Sequence, residues 1–388
     1  MTAPSDRDHS AVTSLATRED VDRFIYGITL LSTGGGGLPD RGRDYLYELL
    51  DDGLLPSWQP IESIRGDSLT CTAFGMGSIA PHDEMDEDAL HRAGYVRARL
   101  SRPAVSAVEE LEQLVGARID CIVPMELGGF NTVQALDAAV RLNRVVIDGD
   151  YCGRALPEMS QMLPAALGLS PFPIAICDEW GTVAVLKDSP SMAIAEATGK
   201  MISVITKAPD MRAECIHACF PLRVSSMSHA LVRGTLSHAL TIGRRVIDAR
   251  EAGYNPVDIA VDAIDGRMLF IGTVSSMQWE NADGYMTGTT HLNGRESFDG
   301  RRARIWFRNE NHVIWVDDTV VASSPDLIIV LSQVDASPIT NSTLSVGTEV
   351  AVIGTAASSM YRSGEALHRT EPRHFGIAVD YIPIEYLD

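Results

Sequence analysis

The chain has 388 residues, of which 45% are hydrophobic and 22% are charged, and its formal net charge at pH 7 is −20. This length and this apolar content are typical of a globular protein with two domains. The strong negative charge argues against nucleic acid and anionic membrane surfaces as partners, since both bind basic proteins.

The first half of the chain is predicted to form an N-terminal α/β domain over residues 18–190, after a disordered tail over 1–17. Apolar residues at helical spacing lie on both sides of a glycine run, and short β-branched segments then alternate with helical ones. This alternation predicts βαβ units and a largely parallel sheet. The predicted elements are helices 19–31 and 41–50, strand 69–74, helix 105–114, strand 117–123, helix 133–141, strand 145–147, helix 158–167 and strands 174–177 and 182–186.

The pattern of predicted helices and strands changes in the second half of the chain. Residues 191–255 are mostly helical in pattern and are interpreted as a connecting block that belongs to either half. Residues 256–388 contain regularly spaced β-rich runs without helices, which predicts a C-terminal β-rich domain built as an antiparallel sandwich or a barrel-like sheet. The predicted strands are 268–274, 284–291, 302–307, 312–316, 327–331, 349–353 and 375–381.

The compartment is indicated by the cysteines and by the hydropathy. The six cysteines lie mostly in apolar runs, as expected for buried, reduced thiols. No apolar stretch approaches the ~18 residues that span a bilayer, and the first residues lack the basic-then-apolar order of a secretory signal. We therefore expect a cytoplasmic protein.

The most informative segment is the loop over residues 148–158, here called the acidic loop. It follows a short apolar strand and collects three carboxylates, a thiol and a guanidinium, from Asp148, Asp150, Cys152, Arg154 and Glu158. Loops held by a rigid scaffold often carry function, and this concentration of polar chemistry indicates a ligand site. The alternative is a solvated acidic turn in which the arginine only neutralises its neighbours.

A run of four glycines, Gly34, Gly35, Gly36 and Gly37, separates the first two predicted helices. Glycine allows the backbone to turn its N–H groups towards an anion or a carbonyl, so the run is a candidate ligand-binding loop. No Gly-Lys-Ser/Thr follows, which excludes a P-loop. A flexible hinge is the alternative.

Other strand ends also carry polar side chains. Glu126 and Asn131 follow the strand predicted over 117–123, and ligands of parallel α/β sheets bind beyond the carboxyl ends of strands. The alternative is that Asn131 caps the next helix while Glu126 pairs with Arg154. Asp178 and Glu179 mark a third acidic strand end, which a simple hairpin turn also explains.

Cys215, His217 and Cys219 form the one thiol and imidazole cluster in the sequence. On a strand these alternate residues would share a face and so could bind one Zn²⁺ through two sulfurs and a nitrogen. On a helix they would spread over about 200°, which one ion does not span. Known zinc motifs use other spacings.

Several motifs together resemble one protein family and occur in its order over nearly the whole chain. They are residues 34–37 followed by Pro39, then 126–131, 148–158, 178–181, 308–310, 325–328 and 372–376. The chain resembles the S-methyl-thiohydantoin desulfurase family, whose members occur beside, or fused to, hydantoinase/oxoprolinase proteins. Leu38 and Cys152 depart from the residues that many relatives have, an acid and a methionine, and the cysteine–histidine cluster is not a hallmark of the family. These departures point to a distinct substrate or an altered metal site.

The resemblance implies an N-terminal α/β domain, a C-terminal β-rich domain and conversion of a thiohydantoin, or its S-methyl derivative, to a hydantoin with release of sulfide or a thiol. We expect a metal-assisted hydrolase. The expected catalytic residues are Asp150, Glu158, Arg154 and Glu126. The expected substrate-binding residues are Gly34, Gly35, Gly36, Gly37, Asn131, Asp148, Cys152 and Glu310. The candidate zinc ligands are Asp150, Cys152, Cys215, His217 and Cys219.

The expected partners are a small heterocyclic substrate, a hydantoinase-type enzyme and further copies of the same chain. Two other classes of function stay open at this point. The chain is alternatively a non-catalytic partner subunit of a hydantoinase/oxoprolinase system, or a protein that binds a small heterocycle without transforming it.

Overall fold

The computed structural model describes residues 12–81, 87–92, 94, 100–206 and 215–387. None of the helices in these ranges combines the length and the apolar character needed to cross a membrane. The elements up to residue 186 are β1 (Thr13–Ser14), α1 (Arg18–Leu31), α2 (Pro39–Asp51), β2 (Ser57–Trp58), β3 (Leu69–Gly77), α3 (Glu87–Arg92), α4 (Pro103–Val115), β4 (Cys121–Pro124), α5 (Asn131–Arg141), β5 (Val145–Val146), β6 (Gly149–Asp150), α6 (Leu163–Ala166), β7 (Ile174–Cys177) and β8 (Val183–Leu186).

The rest of the described chain begins with helices and then becomes mostly β. Its elements are α7 (Met192–Thr206), β9 (Cys215–Arg223), α8 (Val224–Met227), β10 (Val232–Arg233), α9 (Thr235–Glu251), α10 (Pro256–Ala263), β11 (Arg267–Ala282), β12 (Tyr285–Gly294), β13 (Arg302–Arg308), β14 (Glu310–Val316), β15 (Thr319–Ser323), β16 (Leu327–Ser332), β17 (Glu349–Thr355) and α11 (Gly364–His368).

The first domain is built on a six-stranded sheet in the order β5-β4-β3-β9-β7-β8. The α/β organisation predicted from the sequence is confirmed, and the sheet is mixed: β3, β4 and β5 are parallel, whereas β9 runs antiparallel to β3 and β7. The segment 191–255, expected to be helical, therefore contributes a central strand to this sheet. The apolar residues of this strand, β9, are buried on both faces of the sheet, as in other central strands.

The N-terminal tail expected over residues 1–17 is only partly described. Residues 1–11 lie outside the described ranges. Beyond them, β1 pairs antiparallel with β2, and the hydroxyl oxygen of Thr17 accepts a hydrogen bond of 3.1 Å from the Asp20 N–H to cap α1. The last residues of the expected tail are thus ordered.

The second domain is a seven-stranded antiparallel sheet in the order β15-β14-β13-β12-β11-β17-β16, curved into a half-barrel whose β14 and β15 approach β16. The predicted β-rich domain is confirmed. The strand predicted over 375–381 is wrong: a 3₁₀ turn, Pro372–Phe375, is followed by Gly376 at φ 78° and by irregular chain. A left-handed residue and the prolines nearby interrupt the extended conformation that a strand requires.

The two domains share a core and meet beside the glycine run. Alternate side chains of β16 pack into the same apolar cluster as α1. Backbone hydrogen bonds then join the domains directly, from the Asn311 N–H to the Thr33 carbonyl at 2.8 Å and from the Asn341 N–H to the Gly34 carbonyl at 2.8 Å. The junction fixes the glycine run between the parallel strand ends and the half-barrel.

Candidate functional site

A cleft of about 200 Å³ lies at this junction. The α/β domain contributes the glycine run, the ends of β3 and β4 and one face of α7, and the half-barrel contributes the β13–β14 turn. The polar or charged residues that line it are Arg41, Ser78, Glu126, Asn131, Gln134, Glu196, Lys200, Asn309, Glu310, Ser342 and Thr343. A concave site with convergent polar groups at strand carboxyl ends is where an α/β protein binds small ligands.

The glycine run is held by close packing on both sides. A Cβ added at Gly35 would lie 1.8 Å from Oε1 of Glu310, and one added at Gly36, which has φ 71°, would lie 2.4 Å from the Cα of Gly128. The Gly36 carbonyl also accepts hydrogen bonds from the N–H groups of Phe130 and Asn131. These close contacts argue against a flexible hinge, and Gly36 and Gly37 line the cleft.

Glu126 lies at the end of β4 and is almost completely buried, with 3% of its surface exposed. Its Oε1 accepts a hydrogen bond of 2.6 Å from Asn131 Nδ2, and its Oε2 accepts one of 2.9 Å from the Leu156 N–H. Burial raises the pKa of this carboxyl to about 7, although both hydrogen bonds favour the ionised form. Glu126 therefore exchanges a proton near neutral pH. It does not pair with Arg154, so that alternative is wrong.

A chain of side-chain hydrogen bonds runs from Glu126 into the core. The Asn131 Oδ1 accepts from the Gly75 N–H at 2.8 Å and from Gln134 Nε2 at 3.0 Å, and Gln134 Oε1 contacts Nδ1 of His217. Since Gln134 Nε2 donates to Asn131, its oxygen faces the ring and the His217 Nδ1 carries the proton. Asn131 thus orients Glu126.

Glu310 begins β14 on the opposite side of the glycine run and is 2% exposed. Its Oε2 has no hydrogen-bond partner among the described residues. Burial raises the pKa of Glu310 well above its usual range, and the nearby carboxylate of Glu126 raises it further. An ionised Glu126 thus favours the protonated form of Glu310, which is the arrangement of an acid–base pair.

Lys200 and Glu196, on the cleft face of α7, were not among the residues predicted from the sequence. The Lys200 ammonium donates to the carbonyls of Gly77 at 3.0 Å and Gly284 at 3.2 Å and lies 3.8 Å from Glu196 Oε1. A signal was available, because lysine occurs only at positions 187, 200 and 207 in 388 residues. Lysine is almost never buried without a partner, so a rare lysine inside an apolar helix marks a special environment.

The charged side chains and the thiol of the acidic loop lie next to the cleft without lining it, whereas Leu156 and Pro157 of the same loop do line it. Asp150 is fully buried, and its Oδ1 accepts hydrogen bonds from the N–H groups of Cys152 at 2.7 Å and Gly153 at 2.6 Å. Burial raises the pKa of Asp150 to about 7 and raises the pKa of the Cys152 thiol well above its usual value. A buried thiol of this kind stays protonated and is a poor nucleophile or metal ligand.

The other charged residues of the loop hold the fold together. Asp148 accepts hydrogen bonds from the Leu236 and Ser237 N–H groups at the start of α9. Arg154 is buried, and burial lowers its pKa to about 10. Its guanidinium donates to the Thr33 hydroxyl and to four carbonyls, those of Ala155, Pro325, Asp326 and Asn311. Arg154 thereby ties the glycine run to the half-barrel.

Two further acidic positions have structural partners. Glu158 lies 3.0 Å from His374 and 3.3 Å from Arg308, and its hydrogen bond and charge interaction with His374 lower its pKa against the effect of burial. Asp178 accepts hydrogen bonds from the N–H groups of Trp180 and Thr182, so it forms the hairpin turn between β7 and β8.

The candidate zinc ligands whose side chains are described, Asp150, Cys152, His217 and Cys219, are not grouped to hold one ion. His217 is bound to Gln134, and burial lowers its pKa to about 3, while the Cys219 thiol donates to the Ala107 carbonyl at 3.0 Å. The side chain of Cys215 is outside the described part of the structure. Within the described ranges, no three His, Cys, Asp or Glu residues are grouped to hold a metal ion. The described candidates alone do not fit a zinc site, and the zinc prediction rests on the sequence.

Of the predicted site residues, the cleft brings together Glu126, Asn131, Glu310, Gly36 and Gly37, with the rest of the glycine run directly behind them. It does not bring the charged side chains or the thiol of the acidic loop to its surface. The predicted catalytic role of those side chains stays a prediction without support from their position.

Comparison with known proteins covers nearly the whole chain. The model of the S-Me-THD-like N-terminal domain matches residues 19–188, and that of the S-Me-THD-like C-terminal domain matches residues 195–384. An X-ray crystal structure of a protein from Chromobacterium violaceum, from the Northeast Structural Genomics Consortium, is similar with a TM-score of 0.72 and 21% identity, covering 97% of this chain and 100% of that one. That likeness shows the fold alone. No curated protein matches the chain.

Proposed function

Because the chain belongs to the S-Me-THD-like family, the S-methyl-thiohydantoin desulfurase family that its motifs resemble, we propose that it hydrolyses an S-methyl-thiohydantoin or a thiohydantoin to the corresponding hydantoin. The observation that carries this proposal is the pair of buried carboxyls, Glu126 and Glu310, which face one small cleft from opposite sides of the glycine run.

The chemistry requires two proton transfers. Water attacks the ring carbon that carries sulfur, and the C–S bond then breaks. With an S-methyl-thiohydantoin, one proton of the water ends on the adjacent ring nitrogen and the other leaves with the sulfur as methanethiol. With a thiohydantoin, whose ring nitrogens already carry protons, both protons of the water leave with the sulfur as hydrogen sulfide. A base must therefore accept a proton from the water, and an acid must deliver one to the leaving group or the ring.

Glu126 and Glu310 suit these two roles. The pKa of Glu126, raised by burial to about 7, allows the carboxylate to accept a proton from water near neutral pH. The pKa of Glu310 is raised well above its usual range, so this carboxyl keeps a proton that it can donate. The Lys200 ammonium on α7 adds a positive charge to the lining, where charge develops on nitrogen and sulfur.

The test uses the isolated chain with S-methyl-thiohydantoin and with 2-thiohydantoin. Release of methanethiol or sulfide is measured together with hydantoin formation. We expect turnover by the wild type and a loss of at least ~10²-fold in kcat for Glu126→Gln and for Glu310→Gln, the usual scale for an acid–base group. The matched control is Glu251→Gln on the exposed end of α9, which should keep wild-type turnover.

The remaining expectations are tested by the same preparation. A zinc requirement is tested by elemental analysis and by adding a chelator to the assay. A hydantoinase-type partner and self-association are tested by co-purification and by light scattering. Turnover that appears only after a hydantoinase-type enzyme is added would favour the non-catalytic subunit, and binding without turnover would favour the heterocycle-binding protein.

A further inference from the structure

The wall of the cleft beside its carboxyls is apolar. Phe74, Met76, Met125, Leu156 and Met159 line it, and each is at most 5% exposed and continuous with the main core. A polar or charged ligand group placed against this wall would lose its hydration without gaining a hydrogen bond. The wall thus favours an apolar ligand group, and methionine side chains adapt readily to such groups.

The shape of this wall depends on a glycine in α7. A Cβ added at Gly199 would lie 2.3 Å from the sulfur of Met76, well inside van der Waals contact. Glycine within a helix is less favourable than alanine, so its presence here needs a reason in packing. The reason is that the absence of a side chain at Gly199 lets Met76 pack against α7, so that Met76 forms the wall of the cleft without filling it.

The charges around the cleft disfavour an acidic ligand group. Glu126, Glu196 and Glu310 all line it, and the Lys200 ammonium already donates to two carbonyls beside Glu196. An additional carboxylate would oppose the ionisation of Glu126, which the proposed reaction requires. Arg41 also lines the cleft and is the group that would attract an acidic ligand, so the test includes an acidic derivative.

The size of the cleft limits the ligand. Its volume of about 200 Å³ is somewhat larger than an apolar cavity of ~150 Å³ that holds benzene. A five-membered ring fills most of this space. The remainder accommodates three or four carbon atoms, and a bicyclic aromatic group would extend out of the cleft.

From these observations we infer that the ring carries a short, uncharged aliphatic substituent, of the size of isopropyl or isobutyl, which lies against the wall formed by Met76, Met125 and Met159. This inference rests on the proposed function for the identity of the ring. It makes Gly199 a specificity-determining residue through its contact with Met76.

The experiment measures binding and turnover separately. Calorimetry on the full chain gives Kd for hydantoin itself and for its 5-isobutyl, 5-carboxyethyl and 5-indolylmethyl derivatives, and kcat/KM is measured for the matching S-methyl-thiohydantoins. Each buried methylene contributes ~0.8 kcal/mol, so 5-isobutylhydantoin should bind at least ~10-fold more tightly than each of the others. Equal or tighter binding of the carboxyethyl or indolylmethyl derivative would overturn the inference.

Variants test the role of the wall. Gly199→Ala should weaken binding of the isobutyl derivative at least ~10-fold while changing that of hydantoin less than ~2-fold. Gly66→Ala is the control, because an added Cβ there has no atom within 4 Å. Met76→Ala enlarges the cleft instead and should improve binding of the indolylmethyl derivative. A uniform loss across the series in Gly199→Ala would contradict the role of the wall.

The outcomes also separate this inference from the proposed function. Binding in the expected order without any turnover would retain the substituent inference and refute the reaction. Equal turnover of all four S-methyl-thiohydantoins would support the reaction and overturn the inference. If no hydantoin binds, both fail.

Discussion

The buried carboxyl of Glu126 should make the stability of the protein depend on pH in a way that one substitution removes. A pKa of about 7 in place of 4.5 means that the folded protein holds the ionised carboxylate at a disadvantage of about 3 kcal/mol, since each pKa unit corresponds to ~1.4 kcal/mol. Glu126→Gln removes the titration while keeping the size of the side chain.

The direction of the effect follows from the raised pKa. Between pH 4.5 and 7 the unfolded chain releases a proton at this position that the folded chain retains. The stability that the protonated carboxyl provides is therefore complete below pH 4.5 and is lost as the pH rises through 7. In the variant, one of the donors from Asn131 or Leu156 faces an amide N–H₂ instead of an oxygen, which costs ~1–3 kcal/mol at every pH.

The measurement is urea unfolding of both proteins at pH 5 and pH 9. We expect Glu126→Gln to be less stable than the wild type at pH 5. Between pH 5 and pH 9 the unfolding free energy of the variant, relative to that of the wild type, should rise by about 3 kcal/mol. Comparing the difference at two pH values cancels the constant cost of the amide. Exposed Glu251→Gln is the control and should show no such shift. A difference between Glu126→Gln and wild type that is the same at both pH values would refute the assignment of a raised pKa.

Three further substitutions separate catalytic from structural roles. Gly35→Ala should lower kcat at least ~10-fold, because its Cβ would lie 1.8 Å from Oε1 of Glu310, and unchanged kinetics would contradict this geometry. Arg154→Met should destabilise the protein by ~3–5 kcal/mol in urea unfolding, because buried carbonyls and the Thr33 hydroxyl lose their donor. Asp150→Asn should lower the unfolding free energy by ~1–3 kcal/mol while the folded fraction keeps its kcat, because the carboxyl caps its own loop. A loss of ~10²-fold in kcat at unchanged stability would instead establish Asp150 as catalytic.

The rule that parallel α/β sheets bind ligands beyond the carboxyl ends of their strands located part of the site from the sequence. Glu126 and Asn131 follow a buried parallel strand, and the carboxyl ends of such strands converge at one edge of a sheet. The rule could not separate them from Asp148 and Asp150, which also follow a strand. Asp148 caps α9, a helix that begins almost 90 residues later, and a contact at that distance leaves no local pattern in the sequence.

The organisation of the first sheet was predictable only in part. The alternation of strands and helices indicated β3, β4 and β5 and their parallel pairing, which depends on local crossover units. The insertion of β9 between β3 and β7 depends on pairing with residues about 145 positions earlier in the chain. An apolar run of this length is compatible with either a helix or a buried strand, and periodicity alone does not decide between them.

The proposed acid–base pair exists only because the two domains meet at the glycine run. Glu126 comes from a strand end of the α/β domain and Glu310 from the start of a strand in the half-barrel, and Gly35 and Gly36 fill the space between their loops. Neither domain alone buries both carboxyls, and it is burial that raises the pKa of each. Arg154 therefore affects the proposed chemistry without contacting the cleft, because it fixes the distance between the glycine run and the half-barrel. The buried polar network at the junction is the physical link between the fold and the proposed reaction.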